Sequence, residues 1–183
     1  MIRVAWNDPA LIKKALDIGA VAVMVPQIDT AEEAVQAVEY AFYPPKGRRG
    51  ISPSWPPIAG EDWNHVIQTA NDETVLILQI ESQEAYDNFD EIARVPGIDV
   101  LFVGALDMSA SLGVITQMQD PAVQEVMREA PRRLAGTDIA AGTSLVDVNE
   151  VRQKIEWGYT FVNVGNPLVY GLQALNQHVA SLR

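Results

Sequence analysis

The sequence predicts an α/β protein built on a parallel sheet that helices cover. Six mostly apolar runs alternate with helical segments along the 183 residues. Each run is nearly unbroken by polar residues, which is typical of strands buried on both faces of a parallel sheet. The chain is long enough for one domain with a sizeable core and too short for two ordinary ones. We therefore expect a single domain over residues 1–183.

Recognisable helix signals separate the predicted strands. Asp8 followed by Pro9 begins the first helix, and Thr30 to Glu33 form a capping box before the second. Pro131 falls inside a later helix, which it is expected to kink or split. The predicted strands cover residues 1–5, 20–26, 74–81, 99–107, 138–143 and 160–166. The predicted helices cover residues 9–19, 31–42, 62–71, 83–94, 121–135, the segment after the capping box at 147–150, and 168–182, with a long loop at 43–61.

The periodicity leaves two architectures open. A closed (β/α)₈ barrel usually needs about 250 residues and eight units. Six units are visible here. The sheet is therefore either an open doubly wound sheet or a barrel that lacks two units.

Composition excludes several classes of function. The absence of cysteine removes disulfides, thiolate metal sites and cysteine nucleophiles. The 24 acidic residues against 13 Lys and Arg, a net charge of −11, argue against a surface for nucleic acid or anionic membranes. No apolar stretch is long enough to span a membrane, and the N-terminus has neither a signal nor a transit pattern. We expect a soluble cytoplasmic protein that acts on a small molecule.

Two predicted strands end in acidic residues, Glu81 and Asp107. A buried carboxylate is costly unless it is paired or binds a metal, and the carboxyl ends of strands are where α/β proteins keep their chemistry. Gln79 lies two residues before Glu81 and shares its face of the strand. These oxygen donors, without His or Cys, favour Mg²⁺ or Mn²⁺. The alternative is that Glu81 and Asp107 cap the helices that follow them.

Arg3 lies in the first predicted strand. A fixed, planar positive charge suits a substrate carboxylate or a developing enolate; the alternative is a surface arginine at a frayed chain end. Three groups of residues are weaker candidates. Arg48, Arg49 and Gly50 either anchor the far carboxylate of a substrate or lie in an ordinary turn, and Gly142, Thr143, Gly165 and Asn166 at later strand ends either line the pocket or are ordinary small residues of strand ends. Trp6 and Trp55 are expected to be packing residues.

Five segments resemble the HpcH/HpaI aldolase/citrate lyase family of metal-dependent 2-oxo acid aldolases. They are IRVAWNDPALIKKALDIGA, VMVP, YPPKGRRG, LQIESQEAYDNFDEIARVPGIDVLFVGALDMSASLG and FVNVGNP, and they run from residue 2 almost to the C-terminus in the order and spacing of the family. The resemblance implies a (β/α)₈ barrel of the TIM type, shortened at its N-terminus to about six βα units. It also implies a homo-oligomer, usually a hexamer, whose last helix is exchanged between neighbouring subunits.

The resemblance further implies a chemistry. A 2-oxo acid such as pyruvate, oxaloacetate or a 4-hydroxy-2-oxo acid would bind the metal, an enolate would form, and an aldehyde would be the second product or partner. The resemblance assigns the cation (Mg²⁺, Mn²⁺ or Co²⁺) to Glu81 and Asp107, catalytic roles to Arg3 and Gln79, and the substrate carboxylate to the backbone amides around Gly104, Ala105, Leu106 and Asp107.

This chain departs from the family pattern in two places. Gly104 to Ser109 reads GALDMS where the family has Gly-Pro-Ala-Asp-Leu-Ser, which changes the wall beside the metal and hence the substrate preference. The histidine base of the family belongs to an Asp-x-Glu-His stretch upstream of Met1, and His65 and His178 are expected on helices, away from strand ends. Three hypotheses follow: an aldolase, an oxaloacetate decarboxylase, and a catalytically impaired fragment or subunit that lacks the base.

Overall fold

Six parallel strands form one sheet in the computed structural model, which describes residues 1–182. The strands are β1 (Ile2–Arg3), β2 (Ala22–Val25), β3 (Val75–Ile80), β4 (Val100–Val103), β5 (Ala140–Leu145) and β6 (Phe161–Val164). Their order in the sheet is their order in the sequence, and every neighbouring pair is parallel. A doubly wound sheet needs a point where the strand order reverses. This sheet has none, so it is a partial barrel of six βα units, and the doubly wound alternative is wrong.

The helices follow the strands with the caps that the sequence predicts. Asp8 accepts hydrogen bonds from the amides of Ala10 and Leu11, and Thr30 and Glu33 form the predicted capping box. Within the described residues, none of the helices is both long and apolar enough to cross a bilayer. The helices are α1 (Pro9–Asp17), α2 (Ala31–Ala41), α3 (Trp55–Ala59), α4 (Trp63–Glu73), α5 (Gln83–Asp87), α6 (Phe89–Ala93), α7 (Ala105–Ser111), α8 (Pro121–Arg133), α9 (Val148–Trp157) and α10 (Pro167–Ser181).

The two faces of the sheet pack against different partners because side chains alternate along each strand. The outer face and the helices form the main core, which includes Val23, Leu76, Leu78, Ile80, Leu101, Phe42 and Phe89. The inner face carries a smaller apolar cluster of Ala22, Met24, Ile77, Val100 and Phe102. Gln79 pairs in register with Phe102, and Arg3 with Met24, so both polar side chains share this inner face.

Several predicted boundaries are wrong. The strand predicted over 99–107 ends at Val103, and α7 begins at Ala105. Asp107 therefore lies in the first turn of a helix instead of at a strand end. The apolar run continues across this junction because β4 and α7 both bury side chains in the core, and such a pattern does not separate a buried strand from a buried helix.

Three other segments also differ from expectation. The helix predicted over 83–94 is two helices that meet at Asn88, and the loop predicted over 43–61 contains α3. Pro131 does not split α8, which continues to Arg133. Near a helix end, the hydrogen bond that proline removes is one of the last in the helix, and the helix is not interrupted.

Candidate active site

The predicted site residues come together at the carboxyl ends of the strands on the inner face. A cavity of about 240 Å³ is lined by Arg3, Gln27, Glu81 and Asp107, among others. A larger cleft of about 510 Å³ adjoins it and includes Arg3, Gln79, Asp107 and residues 104–106. Because Arg3 and Asp107 border both spaces, the residues that the resemblance assigns to the site, namely Arg3, Gln79, Glu81 and residues 104–107, lie around one continuous region.

Glu81 is a buried carboxyl group with donors near both of its oxygens. It is 6% exposed. Its Oε1 accepts a hydrogen bond from the backbone amide of Gln27 at 3.0 Å, and its Oε2 lies 3.4 Å from the Nε2 of Gln79. Burial raises the pKa of Glu81 to about 7; the Gln27 amide opposes the rise, the Asp107 carboxyl adds to it, and the charge of Arg3 opposes it. The group is therefore partly protonated at neutral pH unless a cation replaces the proton.

Gln79 presents an unpaired acceptor beside this carboxyl group. The side chain is 4% exposed, and its Oε1 has no hydrogen-bond partner among the described residues. A buried acceptor without a partner costs about 1–3 kcal/mol. A ligand, a water molecule or a cation in the cleft would remove that cost.

The start of α7 brings backbone amides to the site. Gly104 is the residue before the helix, and no side chain caps its first turn. A Cβ at Gly104 would lie 2.8 Å from Oε2 and 3.2 Å from Cβ of Glu81, so any other residue at this position would require the Glu81 side chain to shift. Uncapped amides at a helix start attract anionic groups. This arrangement is consistent with the carboxylate-binding role that the resemblance implies for residues 104–107.

The donor set fits a divalent cation of the magnesium type. Across residues 1–182, no group of three or more His, Cys, Asp or Glu side chains is placed to hold a metal, so Glu81 and Asp107 would be the two protein carboxylates. Mg²⁺ and Mn²⁺ commonly take one or two carboxylates and complete their coordination with water and substrate oxygens. Gln79, whose Oε1 has no hydrogen-bond partner among the described residues, lines the larger cleft together with Asp107. The residues present therefore fit such an ion.

Several weaker candidates have structural roles away from Glu81. Arg49 is buried and pairs with Asp17 at 2.7 Å, and Arg48 pairs with Glu39 at 2.9 Å. Neither arginine lines the two cavities around Glu81. His65 is exposed in α4 and His178 is exposed in α10, as predicted.

Of the candidates at the later strand ends, Gly142 and Thr143 have packing roles in the sheet, and Asn166 lines the cleft. A Cβ at Gly142 would lie 2.8 Å from a methyl group of Val100, and the hydroxyl of Thr143 donates to the carbonyl of Val103, so both residues serve the sheet. Asn166 borders the larger cleft and also caps α10.

The two tryptophans behave differently from each other. Trp55 packs beside Gly19, as expected for a packing residue. Trp6 is 58% exposed and lines the smaller cavity, so the packing role expected for it is wrong.

Sequence reasoning missed Gln27. Its backbone amide contacts Glu81, and its φ of 51° lies in the left-handed region. No residue type signals an amide contact, since every residue except proline carries the same donor. The position directly after a buried strand and Pro26 was the one available hint.

Comparison with known proteins agrees with the geometry. The model of the HpcH/HpaI aldolase/citrate lyase family matches residues 1–170. The 2-keto-3-deoxy-L-rhamnonate aldolase of Escherichia coli K12 is 40% identical over 185 aligned residues, which cover all of this chain and 69% of that protein.

Solved structures show the same fold. A family protein from Burkholderia cenocepacia J2315 is 34% identical with a TM-score of 0.89, over 99% of this chain and 72% of its own. An HpcH/HpaI aldolase from Desulfitobacterium hafniense DCB-2 is 27% identical with a TM-score of 0.88, over 98% and 70% of the two chains. The resemblance found in the sequence motifs is thereby confirmed, and the chain belongs to the HpcH/HpaI aldolase/citrate lyase family.

Proposed function

We propose that the protein is a divalent-metal-dependent carbon–carbon lyase that cleaves or forms 4-hydroxy-2-oxo acids through a pyruvate enolate. The observation that carries the proposal is the meeting of Glu81 and Asp107 with Arg3 and Gln79 around one region of the inner face. The similarity to a protein named 2-keto-3-deoxy-L-rhamnonate aldolase supports the same class of reaction.

Glu81 and Asp107 would hold Mg²⁺, Mn²⁺ or Co²⁺, which when bound polarises the ketone of the substrate. The amides around residues 104–107 would receive the substrate carboxylate, because the start of α7 is uncapped and carries partial positive charge. Arg3, which lines the cleft, would contribute a fixed positive charge that stabilises the negative charge developing on the enolate oxygen. Gln79 would orient the bound 2-oxo acid through its amide, whose oxygen has no partner within the described residues.

A second candidate is oxaloacetate decarboxylation. No histidine within residues 1–182 lines either cavity, and the family uses a histidine base on a substrate hydroxyl. Loss of CO₂ also breaks a carbon–carbon bond and leaves an enolate, but it requires no base to take a proton from a hydroxyl. Decarboxylation therefore needs fewer catalytic groups at this site than the aldol reaction, because it does not need the histidine base.

We also propose that the protein is a homo-oligomer in which α10 packs against another copy, a hexamer if it follows the family. None of the residues of α10, all of which the structure describes, is buried. Its exposed apolar residues include Leu168, Leu172, Leu175 and Val179, which are spaced four, three and four residues apart and share one face. A stripe of this kind is unfavourable in water and favours burial against a partner.

Pyruvate release tests the reaction. The substrates are oxaloacetate and a 4-hydroxy-2-oxo acid, each with Mn²⁺ and with EDTA, for the wild-type protein and the Glu81→Gln variant. Glu84→Gln is the matched control, because Glu84 is exposed in α5 three residues further along. Metal-dependent release from both substrates, lost in Glu81→Gln and kept in Glu84→Gln, is the expected result for an aldolase.

Two other outcomes separate the remaining hypotheses. Release from oxaloacetate alone identifies a decarboxylase. No release from either substrate while Mn²⁺ still binds contradicts the proposed activity and favours a catalytically impaired subunit.

A further inference from the structure

The backbone of Gln27 has an uncommon conformation. Its φ is 51°, and in the described part of the chain only one other residue apart from glycine, Thr116, has a positive φ. This left-handed region is unfavourable for residues with a side chain and is tolerated mainly by Gly and Asn. Such a conformation persists only where the surrounding structure imposes it, and it is concentrated at functional sites.

The segment after Gln27 is held firmly in place. Ile28 is fully buried, and its amide donates to the carbonyl of Gln79 at 3.2 Å. The side chain of Asn88 donates to the carbonyl of Asp29 at 2.8 Å, and the amide of Asp29 donates to the carboxylate of Glu33 at 2.8 Å. The loop between β2 and α2 is thus tied to β3, to the junction of α5 and α6, and to α2.

This loop directs the amide of Gln27 at Glu81. The amide nitrogen lies 3.0 Å from Oε1 of Glu81, while Nε2 of Gln79 lies on the side of Oε2. Donors near both oxygens define the plane of the carboxyl group. The side chain of Gln27 is exposed, so its contribution to this contact comes from the backbone.

We propose that Gln27 is a positioning residue for the cation site: its left-handed backbone presents an N–H group that holds the Glu81 carboxylate in the orientation that a divalent cation requires. The inference rests on the proposed function, in which Glu81 is a metal ligand. Hydrogen bonds to ligating carboxylates fix their orientation before the ion arrives, and losing them typically costs roughly 10- to 100-fold in metal affinity.

A substitution series separates the backbone from the side chain. Valine disfavours the left-handed region because it is branched at Cβ, whereas asparagine and glycine tolerate it. Calorimetric titration with Mn²⁺ alone is expected to show Gln27→Val binding roughly 10- to 100-fold more weakly than wild type. Gln27→Asn and Gln27→Gly are expected to bind at least about tenfold more tightly than Gln27→Val, because the amide returns to its position.

Gly136→Val is the matched control. Gly136 has a φ of 85° and open space around its missing Cβ, and it lies in the turn before β5, at the opposite end of the strand from the site. The variant carries a backbone cost at least as large as that of Gln27→Val, because it replaces a glycine, and is expected to lower the Tm without changing the affinity for Mn²⁺. An affinity for Gln27→Val equal to wild type overturns the proposal, and so does a Gln27→Gly variant as weak as Gln27→Val.

Two further measurements separate this inference from the proposed function. If Glu81→Gln binds Mn²⁺ as tightly as wild type, the proposed metal site is wrong whatever Gln27 does. Hydrogen–deuterium exchange in the metal-free protein then decides the Gln27 contact by itself. The peptide that contains residue 27 is expected to exchange faster in Glu81→Ala than in wild type, and unchanged exchange overturns the contact.

Discussion

The Glu81 carboxyl group combines burial with a second acid nearby, and both favour its protonated form. Burial raises its pKa to about 7 from the usual 4.5, and Asp107 adds to the effect. Such a group is unfavourable as a bare anion and becomes favourable once a cation shares the site. At the residue scale, the burial and the neighbouring acid that make Glu81 a candidate metal ligand also make the metal-free protein sensitive to pH.

The stability of the metal-free protein should show this sensitivity. A carboxyl group with a folded-state pKa above its unfolded value contributes stability that is complete below the unfolded pKa and is lost as the pH rises through the folded one. For Glu81 this window runs from about 4.5 to somewhat above 7. Glu81→Gln, which cannot ionise, is expected to have a Tm near that of wild type at pH 4.5 and above it at pH 8, by thermal melts in EDTA.

Glu84→Gln supplies the comparison in the same melts, because Glu84 is exposed. A gap between wild type and Glu81→Gln that stays constant from pH 4.5 to pH 8 would show that the carboxyl group is not held in the protonated form.

At the scale of elements, the junction between β4 and α7 determines the shape of the site. The strand ends at Val103 and the helix begins at Ala105, with Gly104 between them beside Glu81. This tight junction places Asp107 in the first helical turn, where its carboxylate reaches the cavity that Glu81 borders. The residue type at 104 therefore affects where the Glu81 carboxyl group lies relative to Asp107.

Gly104→Ala is expected to weaken Mn²⁺ binding roughly tenfold or more, because its Cβ would lie 2.8 Å from Oε2 of Glu81 and displace the carboxylate. The added methyl group is also expected to destabilise the protein by about 1–3 kcal/mol. Titration with Mn²⁺ and thermal melts measure the two effects. Gly50→Ala in the loop before α3 is the control, since a Cβ there meets only the Cε of Lys13, at 3.6 Å. Equal Mn²⁺ affinity in the two variants would show that Glu81 moves aside without loss.

The whole molecule leaves its last strand partly exposed and its last helix open to solvent. The inner cluster around Met24 and Phe102 is small, β6 is partly exposed, and α10 buries none of its residues. The apolar stripe of α10 favours association with another copy, and the burial of this stripe must outweigh the repulsion between chains that each carry a net charge of −11.

Light scattering on a sizing column is expected to find more than one chain per particle. Leu175→Glu places a charge within the apolar stripe of α10 and is expected to shift the protein toward smaller species. Gln173→Glu adds the same charge to the same helix outside the stripe and is the control. A wild-type protein that elutes with the mass of a single chain would contradict the proposed association.

The sequence allowed most of the fold to be predicted because its signals are local. Apolar runs identified six strands, and Asp8 and Thr30 marked helix starts that the structure reproduces. The strand predicted to reach Asp107 was wrong because buried strands and buried helices share apolar composition. For the site, the residue types and their order indicated oxygen ligands and the family, and the structure brings those residues together.

By itself, then, the sequence determined the six strands, most of the helices between them, the family, and the acidic and amide side chains around the cleft, because these depend on residue type and local periodicity. The tertiary structure alone decided that the strands lie in the sheet in the same order as in the sequence, because that order depends on which strands pair with each other. It alone also decided that the amide of Gln27 meets a carboxylate 54 residues away. Backbone donors are the same at nearly every position, so only the path of the folded chain selects the one that binds Glu81.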